Sequence, residues 1–140
     1  MSVLMYNYRI NAMGNILIKY FKNCTTGVKL ELFRTYYSCL YSSQLWCDYS
    51  AQAYRRIRVA LNDIFRALMH IKRGESISQF YVFHNITDFN SLIRKTVYGF
   101  YQRLMNSKNV LIETIISSVY FTYGSKLLAK WTKLLLVSRE

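Results

Sequence analysis

Between residues 51 and 74 the chain reads AQAYRRIRVALNDIFRALMHIKRG, and apolar residues recur along it every three or four positions. At about 100° per residue, this spacing places them on one face of an α-helix. Asp48 or Ser50 can cap the helix, which is predicted to run to Arg73, with Gly74 as a stop. The predicted core face comprises Ala53, Ile57, Ala60, Leu61, Ile64, Leu68 and Ile71.

Helical spacing of apolar residues extends over nearly the whole chain, whereas the strict alternation typical of strands is scarce. The 140 residues include no proline and only five glycines, so little interrupts a helix. The sequence therefore predicts one all-α domain, residues 1–140, built as a single multi-helix bundle of about six to seven helices. The predicted helices lie within Met5–Lys22, Val28–Trp46, Ser50–Arg73, Ser76–His84, Asp88–Asn106, Val110–Phe121 and Ser125–Val137.

Three of these helices carry local features of their own. Gly14 is a weak point of the first helix, because glycine is unfavourable in a helix interior. Beyond Arg34 the second helix is apolar all round, which is typical of the buried centre of a bundle. Ser76 and Gln79 have the spacing of a capping box at the start of the fourth helix.

The chain is strongly basic, with 19 lysines and arginines against seven acids and a formal net charge of +12. Its hydrophobic fraction of 52% excludes an intrinsically disordered chain. A globular domain with this charge repels itself unless an anionic partner offsets it, so nucleic acid or an anionic membrane surface is the expected partner. The longest uncharged stretches, 35–47 and 114–125, are too short to cross a bilayer, so no membrane span is expected.

The sequence shows no recognisable catalytic or metal-binding motif. Its seven acids are scattered, without paired carboxylates for catalytic metal ions, and no glycine-rich phosphate loop is present. No catalytic residue, metal ligand or cofactor is predicted. A catalytic cysteine–histidine pair remains an alternative, because two such residues can be distant in sequence and adjacent in the fold. The odd number of cysteines and the lack of a signal peptide predict an intracellular location, in the nucleus or cytoplasm. The potential zinc ligands do not have the sequence spacing of a zinc site. They are Cys24, Cys39, Cys47, His70 and His84.

Arginines on the polar face of the 51–74 helix form the candidate functional site. Arg55, Arg66 and Arg73 project within a narrow stripe opposite the core face, and Arg58 lies beside them. Every basic position of this stripe is arginine, whose planar fork suits phosphate, and Asp63 is the nearby acid. We therefore predict binding of nucleic-acid backbone through these four arginines, with a merely solvated helix face as the alternative.

Two further sets of residues are weaker candidates for contact with a partner. Tyr54 and Tyr98 have positions from which an aromatic ring can stack on a base. Lys126, Lys130 and Lys133 form a stripe on the last helix that is interpreted as a solvated face, with contact to a membrane surface or a partner as the alternative.

Five segments stand in a distinctive order along the chain. They read GNILIKYF (14–21), VKLELFRTYYSCLY (28–41), LWC (45–47), RVALNDIFR (58–66) and SLIRKTVYGF (91–100). In order and spacing they resemble the region that follows the polymerase palm in reverse transcriptases of non-LTR (LINE-type) retrotransposons. In that family the helices of the thumb follow the catalytic core, and a Leu-Phe-x-x-Tyr…Tyr…Leu-Trp pattern recurs. The resemblance covers about Tyr8 to Leu111.

The resemblance implies a thumb-like segment of an RNA-directed DNA polymerase. That family copies RNA into DNA with Mg²⁺ held by palm aspartates, but the Tyr-x-Asp-Asp motif and the other palm motifs are absent from this sequence. The expected function is thus non-catalytic: a C-terminal fragment that grips the backbone of RNA, DNA or an RNA–DNA hybrid. Mg²⁺ belongs to the full-length parent, and the missing palm is a second expected partner.

Two other functions remain open from the sequence. One is a helical protein-interaction module, in which the arginines are incidental. The other is an inert relic of a retroelement that does not bind nucleic acid. The oligomeric state is also left open, and the assignment of individual arginines depends on helical geometry rather than on the family.

Overall fold

The computed structural model describes residues 3–37, 40, 43–46 and 49–136. Eight α-helices and one short 3-10 helix occur in these residues, and no strand is found among them. The predicted all-α, multi-helix fold class is confirmed. The α-helices are α1 (Val3–Phe21), α2 (Thr26–Tyr37), α3 (Ala51–Met69), α4 (Ile77–Phe83), α5 (Phe89–Met105), α6 (Val110–Ser117), α7 (Val119–Tyr123) and α8 (Lys126–Leu136).

The helices belong to two compact units. Unit 1 comprises Met1–Tyr41 and Tyr49–Asp88, and therefore contains α1 to α4. Unit 2 comprises Ser42–Asp48 and Phe89–Glu140, with the 3-10 helix and α5 to α8. The single domain over residues 1–140 stays a prediction, because two compact units can fold together or separately.

The central helix of unit 1 is α3, which buries the face that its periodicity predicts. Phe65, outside that predicted face, is also completely buried. Its ring makes edge contacts with Phe33 of α2 and Tyr81 of α4, at 4.8 and 5.0 Å between centroids. Such aromatic pairs each add about 1 kcal/mol beyond the burial of their area. The buried residues of the predicted face are Ala53, Ile57, Leu61, Ile64, Leu68 and Ile71, and Ala60 is half-buried.

The first helix packs along α3, and Gly14 lies directly against Ile64. A Cβ atom on Gly14 would lie 2.5 Å from the Cγ1 and Cδ1 atoms of Ile64, so only glycine permits this approach. A second contact joins His70 Nε2 to the carbonyl of Lys22 at 3.4 Å, just beyond the C-terminal ends of both helices, so α1 and α3 run in the same direction. The helix continues through Gly14, which marks close packing rather than a weak point.

The prediction of one helix over Val28–Trp46 is wrong. The helix α2 ends at Tyr37, and a separate 3-10 helix covers Ser43–Leu45, while residues 38, 39, 41 and 42 lie outside the described part. The stretch is rich in tyrosine and serine, whose helix propensities are weaker than those of leucine or alanine. Leu40 and Trp46, which lie outside both of these helices, are nevertheless buried.

The predicted end of the third helix at Arg73 is also wrong, because α3 ends before His70. His70 has the left-handed dihedral angles φ 55° and ψ 35°. The amide of Ile71 donates to the carbonyl of Arg66 at 2.9 Å, which closes the helix as a Schellman motif does. This turn leaves Ile71 buried in the core, so burial of an apolar side chain, and not Gly74, determines where α3 ends.

Serine residues mark several helix boundaries. Ser50 caps α3 by accepting a hydrogen bond from the amide of Ala53 at 3.2 Å; Asp48, the other predicted cap, lies outside the described residues. Ser76 precedes α4, but its side chain makes no capping hydrogen bond, so the predicted capping box does not form. The predicted sixth helix is interrupted at Ser118, which separates α6 from α7.

The core of unit 2 lies between α5 and α8. Phe89, Ile93 and Val97 of α5 are buried. Trp131 of α8 is only 1% exposed. Its ring lies edge-on to Phe100 and Tyr101 of α5, at 5.6 and 6.2 Å between centroids. By contrast, no residue of α6 or α7 is fully buried.

Replacing Gly14 by alanine is expected to lower the free energy of unfolding by about 1–2 kcal/mol. Alanine improves helix propensity by about 1 kcal/mol, but overpacking against Ile64 costs up to about 3 kcal/mol. Urea denaturation measures the difference. The matched control is Gly99→Ala in α5, where the nearest atom to a new Cβ, on Arg103, is 3.8 Å away. The control should be stabilised by up to about 1 kcal/mol, and an equal gain at Gly14 would contradict the close packing.

Candidate nucleic-acid interface

The exposed part of α3 carries three arginines close to its N-terminus. Arg55, Arg56 and Arg58 are exposed, and none of them makes an ion pair or a side-chain hydrogen bond with another described residue. Arg55 and Arg58 lie one turn apart, about 4.5 Å along the helix axis. Because the opposite face of α3 is fixed in the core, these guanidinium groups are presented from a rigid support.

Arg66 does not share this exposed position. It is half-buried, and its Nη1 donates to the carbonyl of Lys72 at 2.9 Å. Its own carbonyl accepts the amide of Ile71. Arg66 therefore ties together the turn that follows α3, a role that the helical stripe alone did not indicate.

Arg73 lies in an exposed turn beyond the end of α3. Its predicted place in the stripe required helical geometry as far as residue 73, and that geometry ends before His70. The structure thus brings Arg55 and Arg58 together on α3, and it places Arg66 and Arg73 in or beside the following turn.

The middle of the polar face of α3 is covered by α4. Tyr81 of α4 is buried, and its hydroxyl donates to Oδ1 of Asn62 at 2.8 Å. Burial raises the pKa of the Tyr81 hydroxyl above its usual value, Asp88 raises it further, and the charge of Arg66 opposes both. The one sequence signal of this cover was Phe65, an apolar residue beside the polar stripe.

A groove lies between α1 and α3, on the side of α3 next to Arg56. Its volume is about 720 Å³. Exposed polar side chains line its edges, while Val59, Ala60 and Ile64 contribute apolar surface. The predicted site did not include the polar residues of this groove other than Arg55. The polar groove residues that the predicted site missed are Asn11, Asn15, Gln52, Arg56 and Asp63.

The two tyrosines proposed for base stacking differ in their surroundings. Tyr54 is half-buried, with its ring in edge contact with Tyr49 at 6.3 Å between centroids. Tyr98, in unit 2, is 54% exposed. Tyr98 therefore offers a more accessible ring face than Tyr54, although it lies in a different unit from the arginines of α3.

Other predicted candidates can be placed only in part. Cys24 is a half-buried free thiol, whereas Cys39 and Cys47 lie outside the described residues. Within the described ranges, no three side chains of His, Cys, Asp or Glu lie close enough to hold a metal ion. In the same ranges, no helix has the length and apolarity needed to span a membrane.

Comparison with known proteins found no match among family models, curated proteins or solved structures. The likeness to non-LTR reverse transcriptases therefore remains an expectation from the sequence. The geometry of α3 and its neighbours supplies the further support for a function.

Replacing Tyr81 by phenylalanine is expected to reduce the alkaline sensitivity of the fold. The pKa of Tyr81 is higher in the folded state than in the unfolded state. The neutral hydroxyl therefore gives its full stabilisation below the unfolded pKa of about 10, and this stabilisation is lost as pH rises beyond it. The wild type should lose free energy of unfolding more steeply above about pH 10 than Tyr81→Phe does.

Near neutral pH the same variant should be less stable by about 1 kcal/mol, because the hydrogen bond to Asn62 is lost. Urea denaturation over a series of pH values measures both effects. Tyr98→Phe, on an exposed side chain, is the control. Identical alkaline behaviour of the wild type and Tyr81→Phe would show that Tyr81 ionises as freely in the folded state as in the unfolded state.

Proposed function

We propose that this chain binds the sugar–phosphate backbone of nucleic acid, without catalysis, as a thumb-like segment of a reverse transcriptase of the non-LTR type. The observation that carries the proposal is the exposed pair Arg55 and Arg58 on α3. Both are unpaired within the described residues and have fixed backbone positions on a helix anchored in the core. Guanidinium groups held in this way suit phosphate, because their planar forks can donate two hydrogen bonds to one anion.

The overall charge supports the same class of partner. A net charge of +12 creates a positive field that draws polyanions toward the chain and increases their association rate. Long-range attraction alone does not localise a ligand, whereas the free guanidinium groups of α3 provide a defined contact. Contacts to the sugar–phosphate backbone recognise the shape of the nucleic-acid double helix more than its base sequence. The proposal therefore includes duplex DNA, duplex RNA and RNA–DNA hybrids.

The number of phosphate contacts distinguishes two versions of this interface. Each phosphate neutralised on duplex DNA contributes about −0.9 to the slope of log affinity against log salt. All four predicted arginines would give a slope of about −3.6, whereas Arg55 and Arg58 would give about −1.8. Because Arg66 and Arg73 lie in or beside the turn after α3, we expect the smaller slope.

A second candidate function, a helical protein-interaction module, is favoured by α6 and α7. Their apolar side chains are exposed to an unusual degree: Leu111 is 74% exposed and Tyr120 is 87% exposed. Apolar surface on this scale is typical of a contact site for another protein. The further exposed members are Val110, Ile115, Val119 and Tyr123.

The charge around these helices specifies the partner expected for that alternative. Residues 89–136 contain seven lysines and arginines and one acid, Glu113. A partner would therefore carry an apolar surface rimmed by acidic side chains. Two copies of this chain would repel each other at low salt, so self-association is expected only where salt screens the charge.

The double substitution Arg55→Gln/Arg58→Gln is expected to reduce the salt slope for duplex DNA by about 1.8. Fluorescence anisotropy with a labelled duplex over a range of salt concentrations measures the slope. Lys95→Gln/Arg103→Gln removes the same charge from exposed positions of α5 and is the matched control.

A slope near zero for the wild type, or an equal loss in both double variants, would refute backbone binding through α3. A wild-type slope near −3.6 would instead bring Arg66 and Arg73 back into the interface.

The interaction-module alternative predicts that high salt promotes self-association, the reverse of the effect on nucleic-acid binding. Sedimentation velocity at low and high salt measures the change in apparent mass. Leu111→Gln should suppress the association, because it removes apolar area from α6, whereas Val28→Gln on α2 should not. A monomer at every salt concentration would count against an adhesive surface on α6 and α7.

A further inference from the structure

The groove between α1 and α3 carries charges of opposite sign at different points along α3. Its α3 side carries Arg55 and Arg56 near one end and Asp63 seven residues after Arg56, about 10 Å further along the helix axis. All three side chains are exposed, and Asp63 makes no ion pair with any described residue. The groove therefore has a cationic end and an anionic end, with no salt bridge joining them.

The surface between the two ends is apolar. Val59 is 46% exposed and Ala60 is half-buried, and both line the groove above the buried Ile64. A flat aromatic ring can lie against such a strip, while polar groups at the edges fix its orientation. The volume of about 720 Å³ is within the range of pockets for small organic ligands and leaves room for a nucleotide.

Amide side chains complete the rim of the groove. Asn11 and Asn15 lie one turn apart on α1, and Gln52 lies on α3. Each amide offers both hydrogen-bond donors and an acceptor, so these residues can contact the edge of a base or a ribose hydroxyl. Charge, shape and hydrogen-bonding capacity together match a nucleotide, with phosphate at the arginine end and a base edge at Asp63.

The carboxylate of Asp63 restricts which base fits. A carboxylate only accepts hydrogen bonds, so it favours a base edge with adjacent N–H donors. Guanine has a ring N–H beside an amino group on its Watson–Crick edge, whereas cytosine offers only the amino group and uracil only the ring N–H. That edge is available only when the base is unpaired.

We propose that the α1–α3 groove binds one unpaired guanine nucleotide of a single strand, with Arg55 and Arg56 at its phosphates and Asp63 at the base edge. The proposal deepens the proposed function, on which it rests. It adds a site for an unpaired base next to the arginines that contact the backbone of any nucleic acid.

The test uses two labelled oligouridine strands that differ only at the centre, where one carries guanosine and the other uridine. Fluorescence anisotropy should show that the wild type binds the guanosine strand about tenfold more tightly. Asp63→Asn should bring the ratio of the two affinities to about 1, because the new amide places a donor against the base edge.

Glu75→Gln is the matched control, because it removes the same charge from an exposed turn of unit 1 outside the groove. Both variants are expected to bind the uridine strand slightly more tightly, since each removes one negative charge, but only Glu75→Gln should keep the preference for guanosine. Circular dichroism checks that both variants remain helical.

Two outcomes overturn the groove assignment: equal binding of the two strands by the wild type, or an unchanged preference in Asp63→Asn. Either outcome leaves the proposed function standing if duplex binding still depends on Arg55 and Arg58. Absence of binding to both strands and to the duplex overturns the groove and the proposed function together.

Discussion

The arrangement of unit 1 depends on the close approach of α1 to α3 at Gly14. Packing density in protein interiors leaves no room for an extra methyl group, and here that methyl would fall on Ile64. A glycine in the middle of a helix costs about 1 kcal/mol of helix propensity, which the packing of two helices offsets. The same approach places Asn11 and Asn15 beside the polar edge of α3, so the core contact and the groove have one origin.

Features that depend on local spacing could be predicted from the sequence. The buried face of α3 follows from its apolar repeat, and the exposure of Arg55 and Arg58 follows from their position opposite that face. The end of α3 did not follow, because it is set by the burial of Ile71 across a left-handed His70. Helical continuation past that point gave Arg73 a place on a stripe that the turn removes, whereas Arg66 stays within α3 and donates to the carbonyl of Lys72.

The remainder of the candidate site depends on contacts between residues that are distant in sequence. Such contacts cannot be inferred from the pattern of one sequence. Asn11 and Asn15 are some forty residues away from the arginines of α3, and nothing in their own segment indicates that they share a groove with Arg56. The hydrogen bond between Tyr81 and Asn62 could not be predicted either. A polar residue on the polar face of a helix is expected to be exposed unless a packing partner is known. Phe65, an apolar residue beside the polar face of α3, packs its ring against the ring of Tyr81.

The break at Ser118 and the exposure of α6 and α7 have a consequence for how the chain responds to denaturants. The Ser118 hydroxyl donates to the carbonyl of Ile115 at 2.7 Å and accepts from the amide of Phe121 at 3.2 Å, so two short helices meet at one side chain. Helices this short are marginal in water without packing. Both denaturant sensitivity and unfolding heat capacity scale with the area newly exposed, and α6 and α7 contain no fully buried residue. Their melting therefore adds less to either quantity than the melting of a buried helix does, and amide hydrogen exchange reports it residue by residue.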